Sequence, residues 1–353
     1  MAEHQIFENV GNYIDENYTY DNNFSLNLDT FKCSTQILPT GAVISLVFLQ
    51  VVIFLLAVPG NLLVGLVIVS SRQLLTSSDI YLFHLMIADV QLALTVPFWA
   101  AEELHGWIFG DFMCKFLNLI RDINFYTSIL FLVCISVDRY LAIVHTAQSR
   151  KARQMGCSWI ICASVWGLGI TLSLPALFNK AFLDENGRML CTQQFAVDSA
   201  TDWRLATRGL RHIVGFLLPL TVMVTCYGVT VARLLRTRCF QKHRAMRVIV
   251  AVVIAFLLCW TPYHLTMIAD TLIRAKLVPY NCAVQTRMEL TLHVTHNLAL
   301  LHSCVNPVLY AFVGEKFRRN LVGLIQKTKR LERGSASRYS RSTSQTSEGN
   351  RVI

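Results

Sequence analysis

Residues 134–145 read CISVDRYLAIVH, and in them an acid and a base, Asp138 and Arg139, stand side by side where a long apolar run ends. Another acid, Asp89, lies inside the apolar stretch LMIADVQLAL, while Asn124, Ser128 and Asn306 put polar oxygens into other apolar runs. A third set, Trp99, Arg121, Asp122, Arg204, Arg208, Asp270, Arg274, Glu289 and His296, falls at the ends or inward turns of such runs. An ionised side chain at mid-bilayer costs about 2.5 kcal/mol or more, so each of these must face a partner, a wet cavity or a ligand. Recognition chemistry is on offer rather than group transfer. The chain has no GxSxG, HExxH, P-loop or dinucleotide fingerprint, and it is expected not to be an enzyme.

The elements that hold these residues follow from composition. Of 353 residues, 54% are hydrophobic and 15% charged, which is a membrane composition. Crossing the hydrocarbon core takes roughly 20 apolar residues, and the hydropathy pattern predicts seven spans, at about 40–70, 78–103, 112–144, 156–178, 205–235, 246–273 and 287–312. The fold class is therefore an all-α membrane protein, a seven-helix bundle over 40–312. An acidic tail over 1–39, a short amphipathic helix over 313–326 and a Ser/Thr-rich tail over 327–353 complete it. Arg150, Lys151 and Arg153 follow span three, and Lys242, Arg244 and Arg247 precede span six. Basic loops stay in the cytoplasm, so the acidic amino terminus is placed outside and the carboxyl terminus inside, in the plasma membrane. The net charge of +10 is what such loops need and implies no nucleic acid. No signal-peptide pattern precedes the acidic start, and span one serves as the insertion signal.

Four of the eleven cysteines, Cys33, Cys114, Cys191 and Cys282, fall on the outer side, an even set with three possible connectivities. Asn17 and Asn23 begin N-glycosylation acceptor triplets on the same side. Pro97, Pro219, Pro262 and Pro307 each remove a backbone hydrogen bond inside a span, which suits hinges in a two-state device. Asp89, Asn124, Ser128 and Asn306 are candidates for a small-cation site such as sodium; a protonated, hydrogen-bonded Asp89 is the alternative. No other cofactor is expected.

One motif set per span, in order, carries a resemblance: Asn61, LMIAD at 85–89, DRYLAIVH at 138–145, Trp166, Pro219, CWTP at 259–262 and NPVLY at 306–310. The chain resembles the rhodopsin-like G-protein-coupled receptors over roughly 40–326. TVPFWA at 95–100, GWIFG at 106–110, WRLATR at 203–208, QKHRAMRVI at 241–249, ADTL at 269–272 and LHSCVNP at 301–307 are most similar to the CXC chemokine receptors of the interleukin-8 receptor type. That resemblance implies disulfides joining Cys114 to Cys191 and Cys33 to Cys282. It implies an interleukin-8-like chemokine ligand, a Gi-class G protein, receptor kinases and arrestin as partners, and a role in directing neutrophils. Asp138, Arg139, Tyr140, Tyr227, Trp260, Pro262, Asn306, Pro307 and Tyr310 would form the activation switch, with Asp138 latching Arg139 at rest. Arg139, Lys242, Arg244 and Arg247 would meet the G protein.

Tyr13, Tyr18 and Tyr20 stand among acids in the amino-terminal tail, whose composition predicts no fold of its own but a strong attraction for a basic partner; such tyrosines resemble sulfation sites. Arg204 and Arg208, one helical turn apart, would receive acidic groups from the ligand. The chain departs from the wider family at His296, where many chemokine receptors carry a glutamate; an imidazole does not replace a fixed negative charge. Two rival readings are a scavenging receptor, against which the intact DRYLAIVH speaks, and a transporter or channel, for which internal repeats would be expected.

Overall fold

The computed structural model describes residues 39–70, 75–144, 155–184, 187–195, 200–235, 240–274, 277, 282–313 and 317–326. The chain separates into two units, Met1–Ser34 and Thr35–Ile353, and the first lies outside the described residues.

Span one is Thr40–Val69 and span two Ser77–His105. Span two begins at a capping box, in which the Thr76 hydroxyl accepts from the Asp79 amide and the Asp79 carboxylate accepts from the Thr76 amide. It ends at Gly106, whose φ of 76° turns the chain without a Cβ penalty. Span three, Gly110–Val144, has 35 residues and buries one long face. Span four runs Met155–Ser173 and tightens into a 3₁₀ turn, Leu174–Phe178. A two-stranded antiparallel hairpin follows, β1 Asn179–Leu183 with β2 Met189–Gln193, in register Ala181 opposite Cys191. Span five is helical over Ala200–His212, loosens into a π turn at Ile213–Leu217, and continues as Leu218–Leu235. π turns of this kind concentrate at functional sites. Span six is Phe240–Arg274.

Polarity is inverted relative to a soluble protein. Asp89, Thr127, Ser128 and Ser303 are wholly buried, while Phe48, Ile160, Leu258 and Leu265 are exposed. A bilayer explains both halves of the pattern, since lipid accepts apolar surface and rejects polar surface. The core centres on span three, where Phe125, Ile129, Phe131 and Leu132 pack with Leu85 of span two and Phe256 and Trp260 of span six. Small residues let the helices approach: a Cβ on Gly215 of the π turn would fall 2.4 Å from Phe125 Cε1.

Two expectations change. Among the described residues six helices are long and apolar enough to cross a membrane, not seven. The seventh span is split at Leu301 into Cys282–Leu300 and His302–Val313, and its first piece carries Arg287, Glu289, His293 and His296. Span six starts six residues before the expected 246, so Lys242, Arg244 and Arg247 ride on a helix rather than in a loop. Residues 317–326 are also helical, with Phe317, Leu321 and Leu324 half-buried and Arg318 and Arg319 exposed.

Candidate functional site

The β hairpin closes one end of the bundle. Cys191 of β2 is disulfide-bonded to Cys114 of span three, the pairing that the resemblance implies. The Ala181 amide donates to Asp111 Oδ1 at 2.7 Å, and Arg188 donates to the Glu102 and Glu103 carbonyls at 2.7 and 2.6 Å, a cation on the carboxyl end of span two. Gly106 must be glycine for a second reason: a Cβ there would sit 2.8 Å from the Met189 carbonyl oxygen. Trp107, buried beside it, donates from Nε1 to the Gly110 carbonyl at 2.8 Å.

Beneath the hairpin the expected polar residues come together in pairs. Arg208 Nη1 of span five meets Asp270 Oδ2 of span six at 2.7 Å and the Thr271 hydroxyl at 2.8 Å. Asp122 of span three is held by Arg211 Nη2 of span five at 2.5 Å. Arg121 lies over the Trp99 ring, 4.6 Å from its centroid, and donates to Asn118. Trp99 Nε1 in turn donates to Thr95 at 3.1 Å. His296 packs its ring 5.5 Å from that of Tyr263, and Glu289 is half-buried. Arg204 is half-buried one turn from Arg208. The result is a half-buried chamber lined by cations and anions that are already matched, able to exchange a protein partner for a charged ligand.

Trp260 lies below, 4.6 Å from Phe125 and 5.4 Å from His302 in ring centroids. Its Nε1, though buried, donates to nothing among the described residues. Pro262 is half-buried two residues on, and Pro307 is buried against Gly60 of span one. Deeper still, Asp89 gathers all three expected partners: Asn306 Nδ2 at 2.8 Å, Asn124 Nδ2 at 3.3 Å and Ser128 Oγ at 3.4 Å. His302 Nε2 is 3.7 Å from the same carboxylate, and Asn124 Oδ1 is buried without a hydrogen-bond partner.

At the far end the latch differs from expectation. Asp138 does not pair with Arg139; it accepts a 2.5 Å hydrogen bond from Ser78 Oγ of span two. Adjacent helical residues point about 100° apart and do not face each other, which is why the neighbouring arginine is not its partner. Arg139 Nε is buried without a hydrogen-bond partner among the described residues. Tyr227, expected to meet Arg139, instead shares a 2.6 Å hydrogen bond with Ser136. Tyr140 is half-buried. The first span also contains Pro59, so intrahelical proline is not confined to the four spans read as hinges.

Tyr13, Tyr18, Tyr20, Asn17, Asn23 and Cys33 lie outside the described residues, as do the side chains of Arg274, Cys282, Tyr310, Lys242, Arg244 and Arg247. Sequence reasoning missed Arg211, although Arg204, Arg208 and Arg211 share one helical stripe and that spacing could have found it. It also missed Glu102, whose Oε1 accepts from the Cys191 amide at 3.1 Å, Glu103, 3.2 Å from His293, and the pair His212 and His264. No sequence spacing announces contacts between residues on different spans.

Comparison with known proteins agrees with this geometry. Residues 60–310 match the family described as 7 transmembrane receptor (rhodopsin family). The chain is 42% identical over 311 residues to the C-X-C chemokine receptor type 2 of Homo sapiens, covering 88% of this chain and 86% of that receptor. It is 45% identical over 274 residues to the C-X-C chemokine receptor type 1 of Homo sapiens, covering 77% and 78%. With type 2 of Oryctolagus cuniculus it shares 42% over 324 residues, 88% of this chain and 90% of that one. The chain therefore belongs to the rhodopsin family of seven-transmembrane receptors, and within it to the C-X-C chemokine receptors.

Proposed function

We propose that this receptor sits in the plasma membrane with its acidic amino terminus outside, binds interleukin-8-like CXC chemokines and activates a Gi-class G protein to direct leukocyte migration. The observation that carries this reading is the chamber beneath the hairpin, where Arg208 with Asp270 and Arg211 with Asp122 are cross-span pairs within reach of a ligand's charged end. Relatives named as chemokine receptors at 42% and 45% identity support it. The acidic tail bearing Tyr13, Tyr18 and Tyr20 would attract a basic chemokine and speed its encounter. Receptor kinases and arrestin would read the Ser/Thr-rich carboxyl tail, and helix 317–326 would lie on the inner lipid surface through its apolar stripe.

Binding outside changes the inside only if the ligand prefers one of two bundle arrangements. Trp260 packs in the core between the chamber and the Asp89 cluster, so a shift of span six is felt by both. Arg139, with its Nε unsatisfied, is the group a G protein would engage. Asp89, Ser128 and the unpartnered Asn124 Oδ1 are hard oxygen donors that suit sodium, which would supply a countercharge and favour the resting packing. The test is nucleotide exchange on Gi in membranes exposed to a panel of CXC chemokines. Exchange is expected with one or more of them and is expected to vanish in Arg139→Ala with chemokine binding retained. Chemokine uptake without exchange on any Gi protein would replace this reading with a scavenging receptor.

A further inference from the structure

His212 of span five and His264 of span six meet through their Nδ1 atoms at 2.8 Å, just below the Arg208 and Arg211 ion pairs. His264 is 2% exposed, and the other ring nitrogen of each, Nε2, is buried without a hydrogen-bond partner. Two neutral imidazoles cannot satisfy this arrangement. One Nδ1 must carry the shared hydrogen, which leaves an Nε2 lone pair on that ring and an Nε2–H on the other, both orphaned. Each orphan costs about 1–3 kcal/mol, so the pair as an end in itself is an expensive way to join two helices.

We propose that His212 and His264 form a two-histidine site for a divalent transition-metal ion, bound through both Nδ1 atoms so that it clamps span five to span six. Neutral imidazole is a good ligand for such ions, and two nitrogens each about 2.0 Å from a metal and at right angles to it lie about 2.8 Å apart. That is the separation found here, and it is the cis edge of a tetragonal site, the geometry that Cu²⁺ and Ni²⁺ prefer. A tetrahedral zinc site would need the nitrogens about 3.3 Å apart, so copper fits the present spacing better. Metal binding displaces the shared hydrogen and puts both rings in the same tautomer, each then carrying Nε2–H. Each ring has to turn so that both lone pairs converge.

The surroundings favour an ion at this place. The nearest arginines are already neutralised, Arg211 by Asp122 and Arg208 by Asp270, so they do not oppose a dication as bare cations would. Phe216 stacks on His264 at 4.3 Å between centroids, and Phe125 lies 5.8 Å away, walls that exclude competing water. His212 is only half-buried, which leaves an approach from the chamber and room for water as the remaining ligands. Among the described residues no three His, Cys, Asp or Glu are grouped to hold a metal, so the protein contributes two ligands only. Such a site binds reversibly rather than as a permanent structural centre.

Cu²⁺ titration of the purified full-length receptor in nanodiscs tests this, read by thermal unfolding and by electron paramagnetic resonance. Wild type should unfold several degrees higher with one equivalent of copper above background and show a signal coupled to two imidazole nitrogens. His264→Asn and His212→Gln should each bind one ion fewer and lose the shift, while His4, His105 and His293 give all three proteins the same background. Should one variant fail to fold, the other carries the comparison. The same shift in wild type and a folded variant, or no shift in wild type, overturns the proposal.

Discussion

The two ends of the bundle bury their charges by opposite means. Near the hairpin, acids are matched to bases from other spans: Asp122 to Arg211 at 2.5 Å and Asp270 to Arg208 at 2.7 Å. In the middle and at the far end the acids meet neutral donors instead, Asp89 with Asn306, Asn124 and Ser128, and Asp138 with Ser78. An ion pair in low dielectric is strong but rigidly interdependent, because losing one member strands the other. A carboxylate held by hydroxyls and amides exchanges partners at smaller cost, roughly 1 kcal/mol per hydrogen bond. The hairpin end is thereby built to hold a shape until a charged ligand competes for it, and the far end to rearrange.

Substitutions that remove one partner break this contrast most severely. Asp122→Ala leaves Arg211 buried without its acid and should destabilise the receptor by about 3–5 kcal/mol, seen as a large drop in unfolding temperature in detergent. Combining it with Arg211→Met should recover most of the loss, since no charge is then stranded. Gly106→Ala forces a side chain onto a φ of 76° and within 2.8 Å of a carbonyl, for about 1–3 kcal/mol and weaker hairpin docking, read as faster proteolysis between β1 and β2. If the far end is governed by exchangeable bonds, Asp89→Asn should cost only about 1 kcal/mol in sodium-free buffer. It should also abolish any rise in unfolding temperature that sodium gives wild type. Ser78→Ala should have the smallest effect on stability, about 1 kcal/mol, yet raise ligand-free nucleotide exchange by releasing Asp138 from span two. Asp122→Asn and Asp89→Asn equally damaging would erase the distinction between the two ends.

Much of the architecture was legible because hydropathy acts locally. Spans one to five were placed within a few residues, apart from the start of the fifth, and the polar residues that would be costly in lipid were all identified before any contact was known. The seventh span read less clearly, because Arg287, Glu289 and two histidines dilute its hydropathy while tertiary partners still hold it in the bundle. The Asp138 and Arg139 motif shows the limit most directly. Adjacency in sequence suggested a mutual salt bridge, but the helix rotates neighbours apart and delivers Ser78 from a different span.

Composition and periodicity by themselves determined that this chain crosses a membrane as a helical bundle and which polar residues had to be satisfied within it. Membrane burial makes that inference strong, since each unsatisfied polar group is costly and cannot be hidden. Only the tertiary structure decided who satisfies whom: Arg211 for Asp122, Ser78 for Asp138, and His212 for His264. Partner choice across spans depends on the relative rotation and depth of helices far apart in the chain, which helix packing fixes and which no local pattern of residues encodes.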